Sequence, residues 1–174
     1  MVRIIPFGDI DQGLISEVAD SISETFGMPV TIAEPEQPDM SAYNPKRGQY
    51  SAQTLLGYLV LSGGEDMRIL GITDVDLYVP ELNFVFGLAY ASLRAAIISI
   101  ARFKGGSDNR KLTERAVKTS IHEIAHTFVL AHCKDSKCVM FFSYSLADTD
   151  HKEKNFCKKC HRPLKEKLHS SGQQ

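Results

Sequence analysis

The sequence lacks a long apolar run, a strong excess of charge of either sign, and any cysteine before residue 133. No stretch reaches the roughly 18 apolar residues that a membrane-spanning helix needs. The chain meets Pro6 and Asp9 before any apolar run could act as a secretion signal. A formal net charge of −1 over 174 residues excludes acid-rich disorder and a strongly basic nucleic-acid binder. These absences predict a single soluble domain in the cytoplasm, with no membrane partner.

The four cysteines lie within the last 42 residues, at Cys133, Cys138, Cys157 and Cys160. In a reducing cytoplasm, four cysteines confined to one segment indicate metal binding rather than disulfides. Their Cys-x4-Cys and Cys-x2-Cys spacings suit a tetrahedral zinc site, which is structural because no coordination position stays open. Two disulfides or four free thiols are the alternatives. His161 could compete as a ligand, but we expect the four thiolates to fill the site.

Strand and helix patterns alternate along the chain. Short apolar segments predict five strands, at 2–7, 28–34, 68–79, 83–90 and 94–103. Apolar residues at helical spacing predict three helices, over 10–26, over 50–64, and from near Ser107 or Thr113 to 128. Residues 35–49 hold three prolines and predict a loop. The alternation predicts an α/β fold, and its five-stranded sheet should be mixed because the last three strands follow one another through short links.

The last of these helices carries the segment HEIAH at residues 122–126. His122 and His126 are four residues apart, so their imidazoles lie on one face and can reach one Zn²⁺ at about 2.0–2.1 Å. Glu123 is rotated from them by about a hundred degrees. It can therefore take a proton from water beside the metal without binding the metal. The alternative is two histidines that share a helix face and make ordinary hydrogen bonds.

A third histidine, His132, could reach the same metal only through a sharp turn. In a continuous helix it would point about 120° away from His126 and lie about 9 Å further along the axis. To bring His132 back to the metal, the chain usually needs a residue with positive φ near position 129. Glycine adopts this conformation freely, whereas Val129 adopts it at a cost of about 1–2 kcal/mol. Zinc binding in small zinc domains is worth roughly 10–16 kcal/mol. The sequence therefore predicts a strained turn at Val129 with His132 on the metal.

These residues together resemble the archaemetzincins, a family in the metzincin clan of zinc peptidases. Four positions match the clan motif HExxHxxGxxH, with valine in place of its glycine: His122, Glu123, His126 and His132. The chain continues with the family pattern HCx4CxM and a later CxxC. Residues 68–89 also resemble the family segment that precedes the active-site helix.

The resemblance implies a metzincin-like fold of the α/β (α+β) class. An upper subdomain of about 1–127 would hold the mixed five-stranded sheet and the active-site helix. A small lower subdomain of about 128–169 would be braced by the zinc on the four cysteines, and a disordered tail of 170–174 would follow. Two Zn²⁺ ions per chain are implied, one catalytic and one structural.

Roles carry over from the family to matching positions. The resemblance implies His122, His126 and His132 as ligands of the catalytic zinc and Glu123 as the general base. It implies Met140 as a hydrophobic floor beneath the metal. The substrate would be a peptide or protein, extended along the edge strand at 83–90.

Two other functions stay open from the sequence. A catalytically silent zinc-binding or peptide-binding module would follow if Val129 compromised the reaction. A zinc-knuckle nucleic-acid binder would use residues 151–168, which hold seven Lys or Arg against two Glu. We interpret those charges instead as a solvated face, because the whole chain is close to neutral.

Overall fold

A computed structural model of the chain describes residues 1–61, 67–104 and 108–171. The strands are β1 (Val2–Phe7), β2 (Val30–Ile32), β3 (Tyr43–Asn44), β4 (Gln49–Ser51), β5 (Arg68–Thr73), β6 (Leu77–Tyr78), β7 (Gly87–Tyr90) and β8 (Ala95–Ser99). The helices are α1 (Gln12–Phe26), α2 (Ala52–Leu61), α3 (Asn109–Thr127), α4 (Leu146–His151) and α5 (Lys158–Ser171). Short 3₁₀ turns occupy Met40–Ala42, Ala91–Leu93 and Ala101–Lys104.

Five strands form the main sheet in the order β2-β1-β5-β8-β7. The first four are parallel, and β7 runs antiparallel to β8 at the edge of the sheet. The strands β3, β4 and β6 make a second, smaller sheet. The predicted mixed five-stranded α/β fold is confirmed.

Helices cover both faces of the main sheet. Successive side chains along a strand point to opposite faces. In β1, Ile4 accordingly joins the core that contains α1 and α3, whereas Ile5 joins the core that contains α2. Because both faces are buried, the parallel strands have continuous apolar sequences rather than alternating ones. Helix α3 packs on β7 and β8, which places its histidines beside the sheet edge.

Helix α1 illustrates how local signals set the element ends. The side chain of Asp11 accepts a hydrogen bond from the backbone N–H of Leu14 at 2.9 Å and caps the helix start. Gly27 ends the helix in the left-handed conformation, with φ of 63°, and its N–H donates to the carbonyl of Ser23. The predicted helix over 10–26 therefore starts two residues later than expected and ends as expected.

Helix α3 starts between the two positions that the sequence suggested. Asp108 caps it by accepting from the N–H of Lys111 at 2.9 Å, and the helix begins at Asn109. Ser107, one predicted start, lies outside the described residues. The other, Thr113, lies inside the helix and donates its hydroxyl to the carbonyl of Asn109.

Several segments differ from their predicted bounds. The second strand covers Val30–Ile32 rather than 28–34, and the segment 68–79 is divided into β5 and β6. The strands predicted at 83–90 and 94–103 are shorter, at Gly87–Tyr90 and Ala95–Ser99, and the predicted loop at 35–49 contains β3 and the start of β4. Helix α2 starts at Ala52 because the two residues before it belong to β4 and pair with β6. Such pairing depends on residues distant in the chain, so local periodicity does not reveal it. The expected close of that helix at Gly63-Gly64 lies outside the described residues.

The C-terminal segment shares the core of the sheet and helices. Buried side chains from this segment join the cluster that contains α1 and α3: Leu130, Val139, Met140 and Leu164. Arg115 of α3 makes a two-pronged ion pair with Asp150 of α4, at 2.7 and 2.8 Å. The predicted tail from 170 falls partly on residues 172–174, outside the described residues, and α5 runs to Ser171. In the described part of the chain, no helix combines the length and apolarity needed to cross a membrane.

Candidate metal centre

The structure brings His122, His126 and His132 together at the C-terminal end of α3. The Nε2 atom of His126 lies 3.0 Å from that of His122 and 3.1 Å from that of His132. Ligand nitrogens around a tetrahedral zinc at about 2.05 Å would be about 3.3 Å apart. The spacing of the three nitrogens therefore suits one shared Zn²⁺.

Hydrogen bonds to backbone carbonyls fix which nitrogens face the centre. The Nδ1 of His122 lies 2.8 Å from the carbonyl of Val139, and the Nδ1 of His126 lies 2.7 Å from that of Leu130. A carbonyl only accepts, so each Nδ1 carries the proton and each Nε2 of the neutral ring presents a lone pair. Burial lowers the pKa of both histidines, which favours the neutral rings.

Lone pairs that face one another at 3.0 Å repel unless a cation lies between them. The same carbonyl contacts are the partners that orient metal-bound histidines and raise their basicity. The donor set therefore fits a zinc ion on this structure's own geometry.

The turn that returns His132 is a Schellman motif centred on Val129. Its N–H donates to the carbonyl of His126 at 2.8 Å, and the N–H of Leu130 reaches back to the carbonyl of Ala125 at 3.3 Å. Val129 has φ of 62°, in the left-handed region that glycine usually occupies. The predicted positive φ at Val129 is confirmed. Its side chain is 67% exposed, so little packing offsets the strain.

Val129→Gly should therefore stabilise the zinc-loaded protein by about 0.5–1 kcal/mol. Relief of about 1–2 kcal/mol of left-handed strain is partly offset by the freedom that glycine adds to the unfolded chain. Thermal unfolding checks this, with an expected rise of about 1–4 °C. Val129→Ala is the matched control and should gain less, because it keeps a Cβ. A glycine variant that melts below the parent would contradict the strain.

A buried arginine secures the chain where the turn begins. Arg68, at the start of β5, donates to the carbonyl of Thr127 at 2.8 Å and to its hydroxyl at 3.1 Å. Its guanidinium lies 3.6 Å over the ring of Phe128. Burial lowers the pKa of Arg68 to about 10. These contacts hold the last turn of α3 against the sheet and so fix the direction in which His132 returns.

Glu123 is buried between α3 and the edge strand. A Cβ added at Gly87 of β7 would lie 2.7 Å from its Oε1 atom, so glycine makes room for the carboxylate. Burial raises the pKa of Glu123 to about 8, and the positive charge of Lys152 acts in the opposite direction. Burial thus strengthens this carboxylate as a proton acceptor.

The four cysteines form a second cluster directly beyond His132. Their sulfur atoms all lie within 4.8 Å of one another. Cys133 and Cys157 are 3.7 Å apart at sulfur, close to the separation of about 3.8 Å for thiolates 2.3 Å from a tetrahedral zinc and far beyond a disulfide bond. Backbone N–H groups point at two of the sulfurs, from Asp135 to Cys133 and from Cys157 to Cys138. The cluster therefore fits a closed zinc site.

Backbone pairing links the cysteine cluster to the histidine centre. The N–H of Cys133 donates to the carbonyl of Met140 at 2.9 Å, and the two segments form a short parallel bridge at Cys133 and Phe141. Met140 is fully buried in the core that contains α1 and α3. Since His132 precedes Cys133, any ion held by the cysteines also restrains the third histidine.

A cleft of about 730 Å³ opens over the histidines. Apolar side chains dominate its walls, among them Leu82, Phe84, Phe86, Leu88 and Tyr144. Residues of the edge strand β7 line it, and so do Phe142, Ser143 and Tyr144, which follow Met140 in the chain. The cleft thus places an extended strand edge, three convergent histidines and a buried carboxylate around one space.

The model of peptidase family M54 matches residues 13–166. The chain belongs to this family. An archaemetzincin from Methanopyrus kandleri is 47% identical over 131 residues, which cover 75% of this chain and 74% of the relative. One from Pyrococcus furiosus is 38% identical over 97% of this chain and 94% of its own length.

Solved structures agree with this assignment. The crystal structure of a Methanopyrus kandleri archaemetzincin superimposes with a TM-score of 0.88 at 40% identity, covering 97% of this chain and 94% of that one. These comparisons confirm the predicted resemblance to archaemetzincins and the predicted enzyme class, a zinc metallopeptidase.

Two residues near the histidine centre were not predicted from the sequence. Lys152 was interpreted as part of a solvated basic face, but its side chain is 3% exposed and lines the cleft. That interpretation is wrong for this residue, because the chain folds back after α4 and directs the lysine inward. The anchor at Arg68 was also missed. Neither residue stands in a motif, so only the tertiary structure identifies them.

Proposed function

We propose that the chain hydrolyses peptide bonds with a catalytic zinc held by His122, His126 and His132. The observation that carries this proposal is the convergence of three Nε2 lone pairs whose opposite ring nitrogens, at His122 and His126, are tied to backbone carbonyls. Zn²⁺ bound there would supply Lewis-acid polarisation of the scissile carbonyl and a lowered pKa of water.

Glu123 is the general base in this proposal. Its carboxylate, beside Gly87, takes the proton of the attacking water and passes it to the departing amide nitrogen. Burial supports the role, because it makes the carboxylate more basic than one in water, although the charge of Lys152 acts in the opposite direction. Met140, which is fully buried, would supply an apolar floor beneath the metal.

The substrate is an extended peptide that lies along β7. The outer edge of a terminal strand offers backbone N–H and C=O groups for pairing with an added strand. Gly87 couples this edge to the chemistry, since its missing side chain is the space that Glu123 fills. The apolar walls favour uncharged side chains over most of the cleft.

The cysteine cluster holds a second zinc with a structural role. Its four ligands leave no open position, and Cys133 joins it directly to His132. This ion stabilises the strained turn at Val129 from its far end.

Hydrolysis of a diverse peptide library by the zinc-loaded protein tests the proposed activity. Cleavage that a chelator abolishes and that added zinc restores is the expected result. Zinc-loaded protein that binds peptides but cleaves none of them would favour the silent binding module instead.

Metal analysis should give two zinc ions per chain. A chelator of moderate affinity should remove one ion early, from the histidines, because a site with an open position exchanges faster than a closed thiolate site. His126→Ala is the matched variant and should retain one zinc. Protein that carries at most one zinc after purification without chelators would contradict the two-site arrangement.

A further inference from the structure

The ammonium group of Lys152 is the feature of the cleft that the proposed reaction does not use. The side chain is 3% exposed and lines the cleft together with Glu123 and His122. Its Nζ donates to the carbonyl of Phe141 at 3.1 Å. An ammonium has three N–H donors, so this bond accounts for one of them. A buried lysine is rare unless an anionic partner compensates for its charge.

The charges around the cleft do not balance. Among the described residues that line it, Glu123 is the single carboxylate and Lys152 is the single ammonium. The positive charge of Lys152 acts on all three histidines, which places it within electrostatic range of the metal position. A divalent ion on the histidines therefore leaves the cleft with two uncompensated positive charges. Low exposure makes such an excess costly until an anion enters.

A second donor that lines the cleft is also unused. Among the described residues, two buried side-chain polar atoms lack a hydrogen-bond partner, and one of them is the hydroxyl of Ser143. It follows two residues after Phe141, whose carbonyl holds the ammonium. Buried polar groups are nearly always paired, so this hydroxyl needs a partner from the cleft, and a ligand oxygen can supply it.

We propose that Lys152 and Ser143 bind a carboxylate of the peptide substrate. This inference rests on the proposed peptidase function and names one chemical group of its substrate. The carboxylate comes either from an acidic side chain or from the C-terminus of a short peptide. In both cases it accepts from the ammonium and the hydroxyl and balances the charge of the loaded cleft. Lys152 is thus a specificity-determining residue in an otherwise apolar cleft.

Binding of matched peptides to the zinc-loaded Glu123→Gln protein, measured by calorimetry, tests the proposal without hydrolysis. One pair is an acetylated tetra-alanine peptide with a free C-terminal acid or with an amide. The other pairs are amidated peptides with glutamate or glutamine at each position in turn. We expect at least one carboxylate peptide to bind about tenfold more tightly than its amide partner. The pair that shows the preference identifies the source of the carboxylate.

The same pairs are then measured with a second substitution. In Lys152→Met the preference should fall to about twofold or less, because the charge-assisted bond is lost. Lys118→Met is the matched control, since Lys118 also donates to a backbone carbonyl of α4, that of Thr149, and does not line the cleft. It should keep the preference. Ser143→Ala should reduce the preference in part, and an unchanged preference there would remove Ser143 from the site.

Other outcomes would overturn the proposal. One is equal binding of the two peptides in every acid and amide pair, and another is the absence of binding by any peptide. The others are a carboxylate preference that survives in Lys152→Met, and a carboxylate preference that falls as much in Lys118→Met as in Lys152→Met. The proposed reaction is judged separately. If wild-type protein cleaves peptides without a preference for a carboxylate, the peptidase function stands and the inference on Lys152 fails. If the protein prefers carboxylate peptides in binding but cleaves no peptide, the inference on Lys152 stands and the proposed peptidase function fails.

Discussion

Glu123→Gln is expected to lower kcat for peptide hydrolysis by about 10²–10⁴-fold, the usual contribution of a general base. Glutamine keeps the shape of the side chain that packs against Gly87, so the fold and the zinc content should change little. KM should also stay close to its original value, because proton transfer contributes to the transition state rather than to substrate binding. Steady-state kinetics together with metal analysis of the same sample checks both parts.

His126→Ala is the control for this experiment. It removes a proposed ligand and should lose the histidine-bound zinc and the activity together. If Glu123→Gln loses zinc as readily as His126→Ala does, the glutamate is a ligand. If hydrolysis persists at the original rate in Glu123→Gln, another group is the base.

Cys157→Ser is expected to give the largest loss of stability. Although burial opposes the change, the backbone N–H of Cys160 and then the side chain of Cys133 lower the pKa of Cys157 to about 7, which suits a thiolate ligand. Loss of one ligand should release the structural zinc and lower the melting temperature by about 10 °C or more, since structural zinc contributes directly to folding energy.

A second consequence concerns the histidine centre. Because Cys133 follows His132, release of the structural zinc should also weaken zinc binding by the histidines at a temperature where Cys157→Ser is still folded. Competition with a coloured zinc chelator measures that affinity. Lys134→Ala, at an exposed position between the first two cysteines, is the control and should leave both properties unchanged. Unchanged zinc content and melting in Cys157→Ser would show that the cysteines do not hold a structural ion.

The sequence predicted most of the fold because its signals were local. The helix stop at Gly27 and the continuous apolar strands come from neighbouring residues, so periodicity and turn chemistry were enough. The conformation of Val129 was also predictable, because His122, His126 and His132 can meet only if the chain reverses there. The prediction came from chemistry rather than from the propensity of valine, which opposes it.

The remaining features depend on contacts between distant residues. Tyr50 pairs with Leu77 across 27 positions, which shortened the predicted helix that follows. Lys152 stands among charged residues and gave no sign of burial, yet the fold-back after α4 places it in the cleft. Gly87 makes room for Glu123 across the interface of strand and helix. Each of these features depends on tertiary packing, and a single sequence does not reveal which helices and strands are in contact.

Anomalous diffraction at the zinc edge, on crystals of the zinc-loaded protein, tests whether three histidines and four cysteines hold separate zinc ions. Two peaks per chain are expected. One should lie about 2.0–2.1 Å from the Nε2 atoms of His122, His126 and His132, and the other about 2.3 Å from the four cysteine sulfurs. A zinc ion bound by His122 and His126 alone, with His132 turned away or Glu123 in its place, would contradict the three-histidine site.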